Sequence, residues 1–251
     1  MNRFTAIIFI FIFIFTMAIP CAAQDTVDGF VARVHRNGRK TMPYRLFIPT
    51  GYDREQRYPL ILWLHGAGGM GRDNLRQISG DQIPGTRTWT TPEHQAKYPA
   101  FVLAPQSPED WADVNHDALS APLALVVGIV ELLTSEFSID PRRLYVAGQS
   151  NGGYGVWDLI SKRPELFAAA VPVCGGGDPG RAGRASMVPV WAFHGTADRS
   201  IPVTASRQMV AALEKAGGHP HYTEYRGAGH DIWTRAFAEP GLIAWLFAQH
   251  N

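Results

Sequence analysis

Residues 148–152 have a pattern that suits a nucleophilic serine. They read GQSNG, with Ser150 at the centre, and so match G-x-S-x-G, a sharp turn that presents a serine hydroxyl between a strand and a helix. The apolar run 144–147 precedes this turn, and a segment with helical character follows it. An ordinary glycine-rich turn is the alternative, and the strand–turn–helix context argues against it. The pattern predicts Ser150 as a nucleophile.

A serine hydroxyl needs a general base, and that base needs an acid to orient it. In enzymes with this type of turn the acid and then the histidine follow the serine along the chain. Asp198 lies in the loop after a predicted strand at 190–194, and His230 lies just after a predicted strand at 221–225. Both positions are at the carboxyl ends of parallel strands, where open α/β sheets bind ligands. We therefore predict a Ser150–His230–Asp198 triad.

Asp178, Asp231 and His194 are further candidates for these roles. Asp178 also follows a predicted strand and remains the alternative acid. Asp231 is adjacent to His230, so its side chain points elsewhere, and we expect a surface or capping carboxylate. His194 lies at a strand end, and we expect it to be a structural residue of that turn.

The segment HGAGG at residues 65–69 follows an apolar run and resembles the loop that supplies an oxyanion donor. A tetrahedral intermediate needs two such donors placed in advance. We predict the backbone N–H groups of Ala67 and Asn151, with Gly68 as the alternative to Ala67. A phosphate-binding loop would require a G-K-[ST] ending, which is missing from this segment.

No group of His, Cys and acidic residues has metal-ligand spacing in the sequence, so no metal or other cofactor is predicted.

The segments that must position these residues alternate between strand and helix. Two extended runs flank the turn-forming Asn37-Gly38 pair and predict an antiparallel N-terminal hairpin. The predicted strands are 30–34, 43–48, 59–64, 101–104, 144–148, 168–173, 190–194 and 221–225, and the predicted helices are 119–133, 152–162, 204–216 and 240–249. This order predicts an α/β fold with a mostly parallel central sheet and helices on both faces. Without a composition break, residues 24–251 are expected to form a single catalytic domain.

Residues 1–23 have the pattern of a secretory signal peptide. A basic start and an apolar run at 6–19 precede small residues that end at Ala23, where we expect cleavage. An uncleaved membrane anchor and a lipidated Cys21 are the alternatives. We therefore predict a secreted or periplasmic protein without stable membrane insertion after cleavage. Cleavage would leave Cys174 as the sole cysteine, in a buried structural role.

The charge balance argues against one class of partner. The 251 residues have a formal net charge of +1, whereas a nucleic-acid binder usually has a clear basic excess.

Four stretches resemble the α/β-hydrolase superfamily: WLHGAGG at 63–69, GQSNGGY at 148–154, WAFHGTAD at 191–198 and GHDIW at 229–233. More narrowly, they are similar to secreted bacterial carboxylesterases of the phospholipase/carboxylesterase and esterase-D-like group, often labelled prolyl-oligopeptidase-like. The resemblance implies a metal-independent hydrolase of short acyl esters, including acetylated or feruloylated sugars. Asn151 stands where many members of the group have Met or another apolar residue, so we expect a more polar pocket and a changed acyl preference.

The connections also limit the size of the substrate site. Only about sixteen residues separate the predicted strands that end at Val173 and begin at Val190, too few for a large lid. An open cleft suits small-molecule or polymer-attached esters, and Trp233, Trp111 and Trp157 are candidates to line it, although tryptophans are as often core residues.

Two other functions compete with ester hydrolysis. One is a prolyl-oligopeptidase-like serine peptidase, and the other is a catalytically inactive hydrolase fold that serves as a binding module.

Overall fold

The structure is a computed structural model that describes residues 25–251. The predicted signal peptide at 1–23, with Cys21, lies outside the described residues. The nine strands of the described part are β1 Thr26–Val27, β2 Phe30–Asn37, β3 Lys40–Phe47, β4 Tyr58–Leu64, β5 Phe101–Pro105, β6 Ile139–Gln149, β7 Ala169–Val173, β8 Trp191–Gly195 and β9 His221–Tyr225.

These strands form one open sheet in the order β1-β2-β3-β5-β4-β6-β7-β8-β9. Strands β1, β2 and β3 pair antiparallel, as do β3 and β5, whereas all pairs from β5 to β9 are parallel. Pairing of Asn37 with Lys40 leaves Gly38 and Arg39 in the hairpin turn, one residue later than predicted. The prediction of a mostly parallel sheet with an N-terminal antiparallel hairpin is confirmed.

Helices cover both faces of the sheet. The helices are α1 Ile83–Thr90, α2 Pro92–Lys97, α3 Ala121–Glu136, α4 Asn151–Lys162, α5 Thr204–Lys215, α6 Trp233–Phe237 and α7 Leu242–Phe247. Apolar residues of α3, α4 and α5 belong to one core cluster, and those of α1, α6 and α7 belong to the other. Within β4, Leu62 belongs to the first cluster and Trp63 to the second, because successive side chains of a strand point to opposite faces. No helix among residues 25–251 is long and apolar enough to span a membrane.

The connection from β4 to β5 contains structure that the sequence analysis did not predict. It holds α1 and α2, although Pro84 and Pro92 lie in this stretch and prolines often indicate turns. Both prolines lie in the first turn of a helix, where the missing N–H is not needed. The strand β6 also begins earlier than predicted, at Ile139.

Candidate active site

Ser150 occupies a strained turn between β6 and α4. Its backbone has φ 55° and ψ −118°, a region that costs a residue with a side chain about 1–3 kcal/mol. The turn is held by a hydrogen bond from the Ser150 N–H to the Val173 carbonyl (2.8 Å). Since β6 ends at the carboxyl edge of the parallel strands, the Ser150 hydroxyl is presented at that edge.

The glycines around Ser150 are required by the close approach of α4 to the sheet. A Cβ atom on Gly152 would lie 1.9 Å from the Leu64 carbonyl oxygen, and one on Gly148 would lie 2.5 Å from the Gly152 carbonyl oxygen. Both neighbours are backbone atoms, which cannot move aside without shifting β4 or α4. The sequence pattern G-x-S-x-G thus reflects a lack of space at both glycines.

We expect Gly152→Ala to destabilise the protein by about 3 kcal/mol or more, since overpacking against backbone forces the helix away from the sheet. The measurement is the free energy of unfolding in urea. Gly183→Ala is the control, because its Cβ would meet only the Ala216 Cβ, at 3.5 Å. Equal losses in the two variants would contradict the close-approach explanation.

The structure brings the three predicted side chains into one hydrogen-bonded row. The His230 Nε2 lies 2.9 Å from the Ser150 Oγ, and the His230 Nδ1 lies 2.7 Å from the Asp198 Oδ2. Both hydrogen bonds form when the His230 Nδ1–H donates to the Asp198 carboxylate and the His230 Nε2 accepts from the Ser150 hydroxyl. Asp198 has a fully buried side chain, whereas 23% of the His230 side chain is exposed. The imidazole can therefore reach a substrate that the carboxylate cannot.

Asp198 is held as a carboxylate by the groups around it. Burial by itself would raise its pKa, but hydrogen bonds from His230 and from backbone N–H groups lower the pKa below its usual value. Its Oδ1 accepts from the N–H groups of Ser200 and Ile201, both at 2.9 Å. The alternative acid, Asp178, pairs with Arg181 at 3.3 Å and takes no part in the row.

His194 and Trp233 pack against two members of the row: His194 contacts Asp198, and Trp233 contacts His230. His194 is fully buried, with its Nδ1 2.7 Å from the Ser206 Oγ and its Nε2 3.0 Å from the Ile201 carbonyl oxygen. The same Nε2 lies 3.3 Å from the Asp198 Oδ2, so the predicted structural histidine also contacts the acid. Trp233 packs edge-on against the His230 ring at a centroid distance of 4.9 Å. The HGTAD sequence, which places His194 four residues before Asp198, was the signal for this contact.

Cys174 completes a small cluster with two of these residues. Potential ligand atoms of Cys174, His194 and Asp198 all lie within 4.8 Å of one another, as a metal site would require. Burial raises the pKa of the Cys174 thiol well above its usual value, so the sulfur stays protonated, and both Asp198 oxygens already accept hydrogen bonds. The cluster is better explained as packing around the carboxylate.

The loop that follows β4 lies next to Ser150. A Cβ atom on Gly66 would be 3.5 Å from the Ser150 Cβ, and the Gly66 N–H is already engaged by the Gln82 Oε1 (2.8 Å). Within residues 25–251, the N–H groups of Ala67 and Asn151 donate to no other group. Both amides therefore remain free to donate to a bound group.

His65 fixes this loop from a fully buried position. Its Nδ1 lies 2.8 Å from the Gly66 carbonyl oxygen, and its Nε2 accepts a hydrogen bond from the Ser107 N–H (3.0 Å). That pattern requires a neutral ring, with the proton on Nδ1. Burial lowers the pKa of His65 to about 4, which keeps the ring neutral at ordinary pH.

We expect His65 to make the protein less stable as the pH falls from about 6.5 to about 4. In this range the unfolded chain binds a proton at His65 and the folded chain does not, so stability is fully present above pH 6.5 and is lost towards the folded pKa. The loss from this residue is about 3 kcal/mol. Urea unfolding at several pH values measures it, and His65→Gln, which cannot titrate, should show a correspondingly flatter dependence. Equal dependences in both proteins would contradict the assignment.

An open pocket of about 360 Å³ lies beside Ser150, and its other lining residues are Asp110, Ala112, Val114, Asn151, Tyr154 and Ile201. Sequence reasoning missed most of these, although Tyr154 lies one helical turn after the serine. The Asn151 Oδ1 is 3.3 Å from the Trp111 N–H. The pocket is thus formed by the first turn of α4, the loop before α3 and the loop after Asp198.

The prediction that Trp111 and Trp157 line this cleft is wrong. Both side chains are fully buried, and the Trp111 Nε1–H donates to the His65 carbonyl oxygen (2.9 Å). Trp157 belongs to the core beneath α4. Trp233 is 8% exposed and contacts the His230 ring, so it supports the imidazole.

Several known proteins are similar to this chain, and one family model matches part of it. The family model described as the prolyl oligopeptidase family matches residues 109–183. The chain is 28% identical over 217 residues to probable feruloyl esterase C of Aspergillus niger, covering 86% of this chain and 75% of that protein. It is 30% identical over 199 residues to probable feruloyl esterase C of Aspergillus terreus, covering 79% and 68%. The solved structure of a thermostable esterase superposes with a TM-score of 0.84 at 38% identity, covering 89% of this chain but only 64% of that one, which is less than two thirds of its length.

Proposed function

Because this chain belongs to the α/β-hydrolase superfamily and is a serine ester hydrolase within it, we propose that Ser150 is its nucleophile, His230 its general base and Asp198 the acid that orients the imidazole. The observation that carries this proposal is the hydrogen-bonded row of these three side chains at the carboxyl edge of the sheet. The adjacent free amides of Ala67 and Asn151 are proposed as the oxyanion hole.

In the first half-reaction, the Ser150 Oγ attacks the ester carbonyl while the His230 Nε2 takes its proton. The carbonyl oxygen becomes an anion, which the Ala67 and Asn151 N–H groups stabilise. His230 is then an imidazolium beside the Asp198 carboxylate, which stabilises the cation. The imidazolium returns its proton to the leaving alcohol, and the acyl group stays on Ser150.

In the second half-reaction a water molecule takes the place of the alcohol. His230 removes a proton from the water as it attacks the acyl-enzyme, and the same two amides stabilise the second oxyanion. Collapse of this intermediate breaks the bond to Ser150 and returns the proton to its Oγ. The free acid leaves, and the row returns to its starting protonation.

The pocket beside Ser150 supports acyl groups of small to moderate size. Ala112, Val114 and Ile201 give it an apolar surface, and a volume of about 360 Å³ is near the lower end for ligand pockets. The Tyr154 phenol makes no hydrogen bond within the described residues, and burial raises its pKa, so it remains a neutral donor. We propose short acyl esters as substrates, and acetyl or feruloyl groups on a polysaccharide as the alternative, which the named fungal relatives favour.

The proposal is tested with a panel of esters that share one alcohol and run from acetyl to long acyl, together with feruloyl and acetyl xylan. We expect the highest kcat/KM on acetyl to butyryl or on feruloyl esters, and a decline for long chains that exceed the pocket. A matched acyl amide tests the peptidase alternative suggested by the family name. Faster turnover of the amide than of the ester would overturn the ester assignment.

We also propose that the protein acts outside the cytoplasm. The support is the signal-peptide pattern of residues 1–23, and a polymer-attached substrate would require export. Cell fractionation with replacement of the apolar run 6–19 by polar residues tests this. The wild-type protein should reach the periplasm or medium, and the altered protein should stay inside the cell.

A further inference from the structure

A second concave surface lies next to the pocket at Ser150. We call it the basic groove: a depression of about 250 Å³ whose polar and charged lining includes Arg39, Lys40, Thr41, Arg72, Ser107 and Glu109, beside apolar residues such as Pro122 and Leu125. Residues 107–109 border the groove, and residues 110–114 of the same loop border the pocket. The two cavities are therefore neighbours separated by one stretch of chain.

The groove is on the same edge of the sheet as Ser150. Strand β3 runs antiparallel to β5, with Tyr44 opposite Pro105, so the start of β3 lies at the carboxyl end of β5. A hydrogen bond from the Gln106 N–H to the Pro43 carbonyl oxygen (2.9 Å) fixes this arrangement. Lys40 begins β3, and Arg39 precedes it in the hairpin turn.

The groove is also connected to the proposed oxyanion loop. The Gly71 N–H donates to the Ser107 carbonyl oxygen (3.1 Å), and the Gln106 Nε2 donates to the Gly69 carbonyl oxygen (3.1 Å). These bonds hold Arg72 beside the loop that carries Ala67. A ligand in the groove would thus lie along the edge from which substrate approaches Ser150.

The cations of the groove have no partner in the described part of the chain. Arg39, Lys40 and Arg72 form no side-chain ion pair or hydrogen bond there, whereas nearby Arg76 is paired with Asp73 at 3.1 Å. Glu109 is the one carboxylate among the residues that line the groove. Cations that line a concave surface attract anions more strongly than the same charges on a convex one.

We propose that the basic groove binds the carboxylates of an acidic polysaccharide, one whose chain contains uronic acid units and carries the ester cleaved at Ser150. This inference rests on the proposed ester hydrolysis at Ser150. The unpartnered Thr41 hydroxyl can bond a sugar hydroxyl between the cations. A formal net charge of +1 for the whole chain provides no broad positive field, which a nucleic acid or an anionic membrane would need.

The test is affinity electrophoresis in gels that contain polygalacturonic acid, with neutral arabinoxylan as the comparison polymer. The groove variant is Arg39→Gln, Lys40→Gln and Arg72→Gln. The control variant, Arg54→Gln, Arg57→Gln and Lys215→Gln, has the same change in charge at the opposite edge, before β4 and at the end of α5. We expect about tenfold weaker binding of polygalacturonate by the groove variant alone, and weaker binding by the wild type as salt is added.

Three results would overturn the proposal: wild-type binding no stronger to polygalacturonate than to arabinoxylan, equal losses in the two variants, or equally tight binding of a DNA oligonucleotide. The binding assay needs no catalysis, so its result is independent of the proposed function. Hydrolysis of 4-nitrophenyl acetate is measured in parallel and should be the same in all three proteins. A lack of hydrolysis in all of them would reject the esterase proposal without deciding the role of the groove.

Discussion

Replacement of Ser150 by Ala should lower kcat for 4-nitrophenyl acetate by about 10⁶-fold and leave the fold intact. The variant has no oxygen to form the acyl-enzyme, and His230 has no hydroxyl to deprotonate. Hydrogen bonds that hold the turn come from backbone atoms, such as the Ser150 N–H to the Val173 carbonyl oxygen, so they survive the change. The residual rate of the variant measures the acceleration that the oxyanion amides and substrate binding provide without the nucleophile.

Ser161→Ala is the matched control for this experiment. Ser161 lies on α4, the helix that follows Ser150, is 3% exposed, and has a hydroxyl with no hydrogen-bond partner in the described residues. We expect wild-type kcat from this variant. The urea-unfolding midpoint of Ser150→Ala should stay close to that of the wild type, which separates lost chemistry from lost structure. Ester hydrolysis at the wild-type rate by Ser150→Ala would refute the role of this serine.

Local context made the fold and the three-residue row accessible from sequence. The G-x-S-x-G turn lies between an apolar strand and a helix, and Asp198 and His230 each follow a strand. Once these strands are parallel, their carboxyl ends share one edge, and the three side chains must lie near one another. The alternation of strands and helices is a strong pattern because each buried strand is a continuous apolar run.

The cleft was harder to predict because exposure depends on what covers each element. Helix α4 is buried along nearly its whole length, so Trp157 lies in the core, and only Asn151 and Tyr154 of its first turns reach the pocket. A helical spacing shows which residues share a face, but it does not show that a helix is covered on almost every side. Trp111 lies in a loop, and no pattern in the sequence around it indicates that its ring would be buried against His65.

Sequence reasoning also missed the buried lysine that fixes the loop beside the pocket. The Lys162 Nζ lies 2.8 Å from the Asp158 Oδ1, and both side chains are almost fully buried. The same Nζ donates to the Asp113 carbonyl oxygen (2.7 Å), which fixes the loop 110–114 beside Ser150. Lys162 and Asp158 are four positions apart on α4, a spacing that a helix brings together. The contact of Lys162 with Asp113 joins positions 49 apart, and a single sequence has no periodicity that would indicate it.

Asp198→Asn should lower kcat/KM for small esters by about 10⁴-fold. The Asn oxygen would take the place of Oδ1, because that site accepts hydrogen bonds from the Ser200 and Ile201 N–H groups. The amide NH₂ would then face the His230 Nδ1 and force this nitrogen to accept. The proton would move to Nε2, so the imidazole could no longer take the proton from Ser150.

In the proposed mechanism, Asp198 selects the imidazole tautomer, and its charge stabilises the imidazolium. Asp178→Asn is the control, since that carboxylate pairs with Arg181 away from the row, and we expect less than a twofold change. Measuring both variants on 4-nitrophenyl acetate at several pH values separates the roles. A loss of tenfold or less for Asp198→Asn, or equal losses for the two variants, would mean that the buried carboxylate does not orient His230.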